Sequence, residues 1–354
     1  GCAAVGRDYV APSLPAAQLP ARFDELPAGL GPGSVEARWW GAFDEPALTA
    51  LVQRALAANH DIAIAAVRLE EARAMLRESR QGFLPRGGPA LSYENRRWSE
   101  VQTPAGQSRQ NETYRGAVDA SWEIDLFGRV RRSVEAARAQ AGSREALLRG
   151  VQASVAAEVA ATWFELRGIE AELAVAADTR QSQRDSLSMV ERQVNAGAAT
   201  EFDRLRAEAL LRSVEVSVPE LERRRDASVN ALAILLGEPP QRFTPPAAEP
   251  GEQALALRTI AVGEPTALLW RRSDIAAAER ALAAATAQIG VETAGLYPEV
   301  QVQGSIGVVT GSLDGMSGAG ALSSAVSATA VLRSSPIAAS NLSSAGCNLP
   351  QSSP

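Results

Sequence analysis

The sequence predicts a mainly α protein that also carries antiparallel β-strands. Three observations lead there. No proline occurs between Val130 and Asn195, and apolar residues in that stretch recur at three- and four-residue spacing. Tyr114–Leu126 alternates apolar and polar residues over 13 positions. Residues 61–85 recur, without a gap, at residues 274–298, an offset of 213.

The elements follow in order. Residues 1–40 form an extended arm, because its prolines fix φ and withhold N–H donors. Gly1-Cys2 ahead of that arm fits a processed lipoprotein with Cys2 as the lipid acceptor; an arbitrary chain start is the other reading. Residues 41–250 form a first repeat. Glu45–Arg80 is helical, with Asp61 as an N-cap and Ile62, Ala65, Ala66, Leu69, Ala72 and Leu76 on one face. A weak strand near Leu91–Trp98 and a polar loop precede the 13-residue strand. That strand places Tyr114, Val118, Trp122 and Ile124 on one face and Arg115, Asp119, Glu123 and Asp125 on the other. Tilted, it could cross an apolar band of ~25 Å with its polar face toward a wet lumen. A half-exposed strand of a soluble sheet would alternate in the same way.

Gly128 ends the strand, and 66 residues of helix, Val130–Asn195, would extend ~100 Å. Such length points to coiled-coil packing. Gly197 can take the left-handed residue that ends a helix, while Thr200 and Asp203 have capping-box spacing. The return helix, about 200–236, contains Pro219, which predicts a kink. Arg129, Arg131 and Arg132 at the start of the long helix oppose its macrodipole. Residues 251–310 form a truncated second repeat, with a helix over about 274–294 and a strand over about 299–309. His60 corresponds there to Ser273 and reads as a surface residue at a helix start. After Gly311 the pattern fails. Residues 311–354 read as a low-complexity tail in which a fourth strand is doubtful, and the loss suggests a truncated or frame-shifted reading frame.

Composition narrows function. The chain has 354 residues, 41 acidic and 35 basic, for a net charge of −6, and every basic residue is arginine. The acidity argues against a nucleic-acid partner. Cys2 and Cys347 cannot supply a disulfide framework or a four-ligand zinc site, and a lone histidine excludes His-pair metal centres. No cofactor, metal or enzymatic constellation is expected. Asp119, Glu123 and Asp125 share a strand face because of the pleat, so their spacing needs no catalytic explanation. No run of 18 apolar residues predicts a transmembrane helix, which leaves a β-barrel open.

Several segments together resemble the TolC-like outer-membrane efflux family, specifically its lipoprotein branch serving resistance-nodulation-division pumps. They are GCAAVGRDYVAPSLP, WWGAFDEPALTALVQRALAANHDI, SWEIDLFGRVRR, NAGAATEFDRLRAEA, ALAILLGEPP and LLWRRSDIAAAERALAAATAQIGVETAGLYPEV. The resemblance runs over roughly residues 1–310. It implies a long helical hairpin in a periplasmic α-barrel, and strands shared among three subunits in an outer-membrane β-barrel. It implies a homotrimer that conducts solutes passively, with a periplasmic adaptor and an inner-membrane pump as partners and outer-membrane lipid around it. The hairpin tip, with Arg192, Gly197, Thr200 and Asp203, would dock the adaptor. The family's second long hairpin has no counterpart here, so a truncated, non-conducting coiled-coil lipoprotein is the alternative.

Overall fold

A computed structural model describes residues 4–12, 30–31, 38–104, 106, 108–246, 260–261 and 271–331. Cys2, Cys347 and most of the arm lie outside them. The elements are β1 (Leu30–Gly31), α1 (Pro46–Ala58), α2 (His60–Arg80), β2 (Arg86–Arg97), β3 (Gln110–Ile124), α3 (Arg129–Asn195), α4 (Glu201–Leu235), β4 (Ile260–Ala261), α5 (Ser273–Ala294), β5 (Glu299–Thr310) and β6 (Leu322–Val331). No helix among the described residues is long and apolar enough to cross a membrane.

Two compact units cut across the sequence repeats. One draws on residues 1–13, 69–144 and 277–354; the other on residues 14–68 and 145–276. The first holds a four-stranded antiparallel sheet in the order β2-β3-β5-β6. The register is continuous: Val118 faces Pro89 on β2 and Ile306 on β5. β2 and β5 are 12 residues each and begin 213 positions apart, as do α2 and α5. The offset read from the sequence is therefore a structural repeat.

The second unit holds the core. Leu48, Leu51, Val52 and Ala55 of α1 meet Val155, Val159, Trp163 and Leu166 of α3 and Leu232 and Leu236 at the end of α4. Each large aliphatic side chain buried here stabilises by roughly 1.5–3 kcal/mol. The Trp163 indole Nε1 donates to Glu45 Oε1 at 2.9 Å, so its one polar atom is satisfied. In this unit β1 pairs in parallel with β4.

Several expectations need correction. The cap of α2 is Asn59, not Asp61. Asn59 is buried, and its Oδ1 accepts from the Asp61 and Ile62 amides at 2.9 and 3.1 Å. Its Nδ2 donates to the Leu235 carbonyl at 2.9 Å, which ties the start of α2 to the end of α4. Asn59 fits better because it caps one helix and donates to another, which a carboxylate cannot do. β2 begins at Arg86, five residues before the expected Leu91, through a Gly-Gly-Pro stretch that hides strand character. The tail beyond Gly311 is not patternless: Leu322–Val331 forms the fourth strand, paired with β5 from Leu322↔Val308 to Val331↔Glu299. Pro219 lies inside α4 as expected. His60 is the exposed first residue of α2 and Ser273 the first of α5.

Candidate channel wall and hairpin tip

The sheet has two unlike faces. Residues directly opposite in an antiparallel ladder share a face, so the register assigns them. Leu91, Tyr93, Tyr114, Val118, Trp122, Ile306, Leu322 and Val326 fall on one side. Most of these large apolar side chains are open: Leu91 and Val326 are each 84% exposed and Ile306 is 59% exposed. Aromatic residues bracket this face. Tyr93 and Tyr114 lie together at one end, ring centroids 4.9 Å apart. Trp122, at the other, donates from Nε1 to the Phe83 carbonyl at 3.2 Å. Eight residues separate Tyr114 from Trp122 in β3, which is about 26 Å of strand and about 20 Å of height at ordinary barrel tilt. Apolar side chains between aromatic girdles are what a lipid-facing strand requires.

The opposite face is polar, with Ser92, Glu94, Arg115, Asp119, Ser121, Glu123, Gln301, Gln303, Ser305, Ser327 and Thr329 in register. Arg115 and Asp119 form a bidentate ion pair, one arm measuring 3.1 Å, and Arg115 Nη2 also donates to Ser305 Oγ at 3.0 Å. Glu94 pairs with Arg96. Arg129 Nε donates to Glu123 Oε1 at 2.8 Å, linking the end of β3 to the start of α3.

Asp125 departs from the expected lumen-facing set. It lies one residue past β3, and its carboxylate accepts from the Val130 and Arg131 amides, each at 3.1 Å, and from Arg131 Nε at 3.0 Å. A carboxylate that caps a helix start is held by that helix's free N–H groups. The same contacts resolve the arginines that oppose the macrodipole. Arg129 has Glu123 and Arg131 has Asp125. The hydrogen bond to Glu123 raises the Arg129 pKa above its ordinary value.

Arg132 does something the sequence did not disclose. Its side chain is 5% exposed. It donates to the Val5 and Gly6 carbonyls at 3.2 and 3.3 Å, to Asp8 Oδ1 at 2.7 Å and to Glu135 Oε2 at 2.8 Å. The described stretch of arm, residues 4–12, is thereby fastened to the first turns of α3. Gly6, at φ +90°, sits so close to α5 that a Cβ there would lie 2.8 Å from Gly290 Cα. Tyr9 completes the attachment, its hydroxyl donating to Glu279 Oε1 at 2.7 Å. Burial, with help from that bond, raises the Tyr9 pKa. The one signal in sequence was Gly290, a glycine inside an alanine-rich helix.

The hairpin tip matches its reading. Gly197 has φ +72°, its amide donates to the Val194 carbonyl at 2.9 Å, and the Ala198 amide donates to the Gln193 carbonyl at 2.8 Å. The Thr200 amide donates to Asp203 Oδ2 at 2.9 Å and the Asp203 amide to Thr200 Oγ1 at 3.3 Å, a complete capping box. Bonds from the Thr200 hydroxyl and amide hold the Asp203 pKa below its usual range. Arg192 Nη1 donates to Ser188 Oγ at 2.9 Å. Beyond the tip Phe202 is 72% exposed. Among the described residues no cluster of three or more His, Cys, Asp or Glu side chains could hold a metal ion.

Residues 51–238, more than half of the chain, match the family model described as outer membrane efflux protein. The chain belongs to the outer membrane efflux protein family. This is a family of outer-membrane transport proteins and not of enzymes. The solvent efflux pump outer membrane protein SrpC of Pseudomonas putida is 33% identical over 278 residues, 78% of this chain and 59% of that one. Nodulation protein T of Rhizobium leguminosarum bv. trifolii is 29% identical over 306 residues, 86% of this chain and 64% of that one. Among solved structures, the outer-membrane channel OprN superposes with a TM-score of 0.83 at 32% identity, over 96% of this chain and 74% of that one. The Campylobacter jejuni CmeC outer membrane channel gives 0.84 at 20% identity, a likeness of fold. The fold is TolC-like, as the sequence resemblance implied. The chain spans about three fifths of the length of the efflux and nodulation relatives. A non-conducting coiled-coil lipoprotein finds no support in these likenesses.

Proposed function

We propose that this protein is the outer-membrane channel component of a tripartite efflux system and passively conducts solutes delivered by an inner-membrane pump through a periplasmic adaptor. One observation carries the reading: a four-stranded sheet, apolar on one face and polar on the other, leads directly into a 67-residue helix. Lipid cannot hydrogen-bond a sheet edge, so a membrane sheet must close. Four strands are too few to close alone, and β2 and β6 have free edges among the described strands. Three copies would supply twelve strands and one water-filled lumen, walled by the face bearing Arg115, Asp119 and Glu123.

The helices suit the same reading. Sixty-seven residues correspond to ~100 Å, enough to reach far into the periplasm. Val175, Met189, Phe202, Leu205 and Val216 of the hairpin are exposed, which suits packing against neighbouring copies. Gly197, Thr200 and Asp203 shape a rigid tip for an adaptor, with Arg192 beside it. Residues 4–12 are fastened to the first turns of α3, and a lipid on Cys2 would anchor this arm in the bilayer. Each buried CH₂ of such an anchor contributes about 0.8 kcal/mol. No cofactor, metal, catalytic group or nucleic acid enters this mechanism, because the pump supplies the energy.

The test is native mass and single-channel conductance of detergent-extracted protein from the outer membrane. A trimer with open-channel conductance is expected. A monomer without conductance would overturn the reading. Mass spectrometry of the same sample shows whether Cys2 is acylated, and an unmodified Cys2 would remove the anchor.

A further inference from the structure

We propose that the Arg115–Asp119 pair sets the charge selectivity of the conduit, an inference that rests on the channel reading above. The pair lies in the middle of β3 on the polar face and is open to water, its side chains 33% and 43% exposed. Its surroundings on that face are small and uncharged. Ser92 and Val309 flank Arg115 in register, Ala90 and Gly307 flank Ala117, and Gly88 and Ser305 flank Asp119. Further out on β6, Ser323, Ala325 and Ser327 add no charge. Glu94 and Glu123, which border this band, are each paired with an arginine of their own, and Arg86, opposite Ser121 on β2, adds a cation just beyond its edge.

Within this band the charge comes from one self-neutralised pair per chain, against a fixed background from Arg86 that the variants below leave unchanged. Removing either partner leaves a whole charge facing the lumen. Acting about 8 Å away through water, a unit charge changes local ion occupancy by roughly twofold, and salt screens it. Ser305, 3.0 Å from Arg115 Nη2, holds the guanidinium toward β5 and fixes where that charge stands.

The experiment is the reversal potential of the full-length chain in planar bilayers under a tenfold KCl gradient at low total salt. Asp119→Asn should move selectivity toward anions and Arg115→Gln toward cations, each by roughly twofold or more in permeability ratio. The double variant should return to the wild-type value. Ser305→Asp adds a carboxylate beside the pair while keeping both its members and should favour cations. It keeps the test alive if a single variant fails to assemble. Conducting variants with unchanged reversal potential overturn this inference and leave the channel reading standing. An absence of conductance in every form, wild type included, overturns both.

Discussion

The attachment of the arm offers a demanding prediction, because two effects of opposite sign compete at one atom. Replacing Gly290 with alanine should stabilise α5 in isolation by about 1 kcal/mol through helix propensity. Yet the added Cβ would lie 2.9 Å from both Cγ and Cδ of Arg132 and 3.0 Å from its Nε. An exposed arginine would swing away. This one is held at its far end by Val5, Gly6, Asp8 and Glu135. Moving the stem breaks the two carbonyl bonds, which contribute about 1.5 kcal/mol each as bonds from a charged donor. The Asp8 contact is on an 86% exposed carboxylate and adds little. The net cost is about 1–2 kcal/mol, confined to the arm. Trypsin cleavage after Arg7, followed by mass spectrometry, reads it directly. Gly290→Ala should raise that rate by about 5–30-fold. Gly6→Ala should do the same, because its φ of +90° disfavours a side chain and its Cβ would meet Gly290 backbone. The double variant should add little, since both substitutions release one segment. Slower cleavage and a higher melting temperature in Gly290→Ala would refute the reasoning, showing that Arg132 yields without losing its partners.

Five further outcomes follow from the geometry. Asn59→Ala removes a buried cap and leaves the Leu235 carbonyl unpaired; a loss of about 2–3 kcal/mol is expected by urea unfolding. Trp163→Ala should lose about 3–5 kcal/mol, and Trp163→Phe less, in the same assay. Thr200→Ala should loosen the hairpin tip by about 1 kcal/mol, seen as faster amide exchange there. The Asp203 contribution to the tip is complete above its ordinary pKa of 3.8 and fades as pH falls below that value, because folding depresses it. Tip exchange should accelerate on acidification in the wild type and change less in Asp203→Asn. On the sheet, Val118→Arg places a charge midway between the aromatic girdles and should cost about 2–4 kcal/mol of membrane stability. Ser121→Arg on the other face should assemble normally, and heat-modified gel mobility separates the two.

Legibility in the sequence tracked how far each element satisfies itself locally. α2 was readable because Ile62, Ala65, Ala66, Leu69, Ala72 and Leu76 are all buried or half-buried along one stripe. The turn at Gly197, Thr200 and Asp203 was readable because its bonds span five residues or fewer. The arm's attachment was not, because Arg132 meets Asp8 across 124 positions and no local pattern encodes that pairing. Asp125 was misassigned for a related reason. Strict alternation continues one residue past the strand, and only the free amides of α3 decide where that carboxylate turns.

β6 shows why composition is a weaker guide than a repeat. Its alternation is faint because both faces carry small side chains: Ser324, Ala328 and Ala330 on one, Ser323, Ala325, Ser327 and Thr329 on the other. Alternation detects a difference between faces, and two rows of small residues offer little difference. What holds β6 is the backbone ladder of β5, which any residue except proline can join. The repeat locates it without reference to polarity. Adding the offset of 213 to Gln110, the start of β3, gives 323, one residue from where β6 begins. β2 and β5 show the same offset without error. The second copy thus retains its strand positions while its apolar face thins to Leu322 and Val326. The wall can tolerate this thinning on a strand that the sheet order places at an edge of the described strands, because in the proposed closed barrel the side chains that meet β6 across that edge would come from another copy.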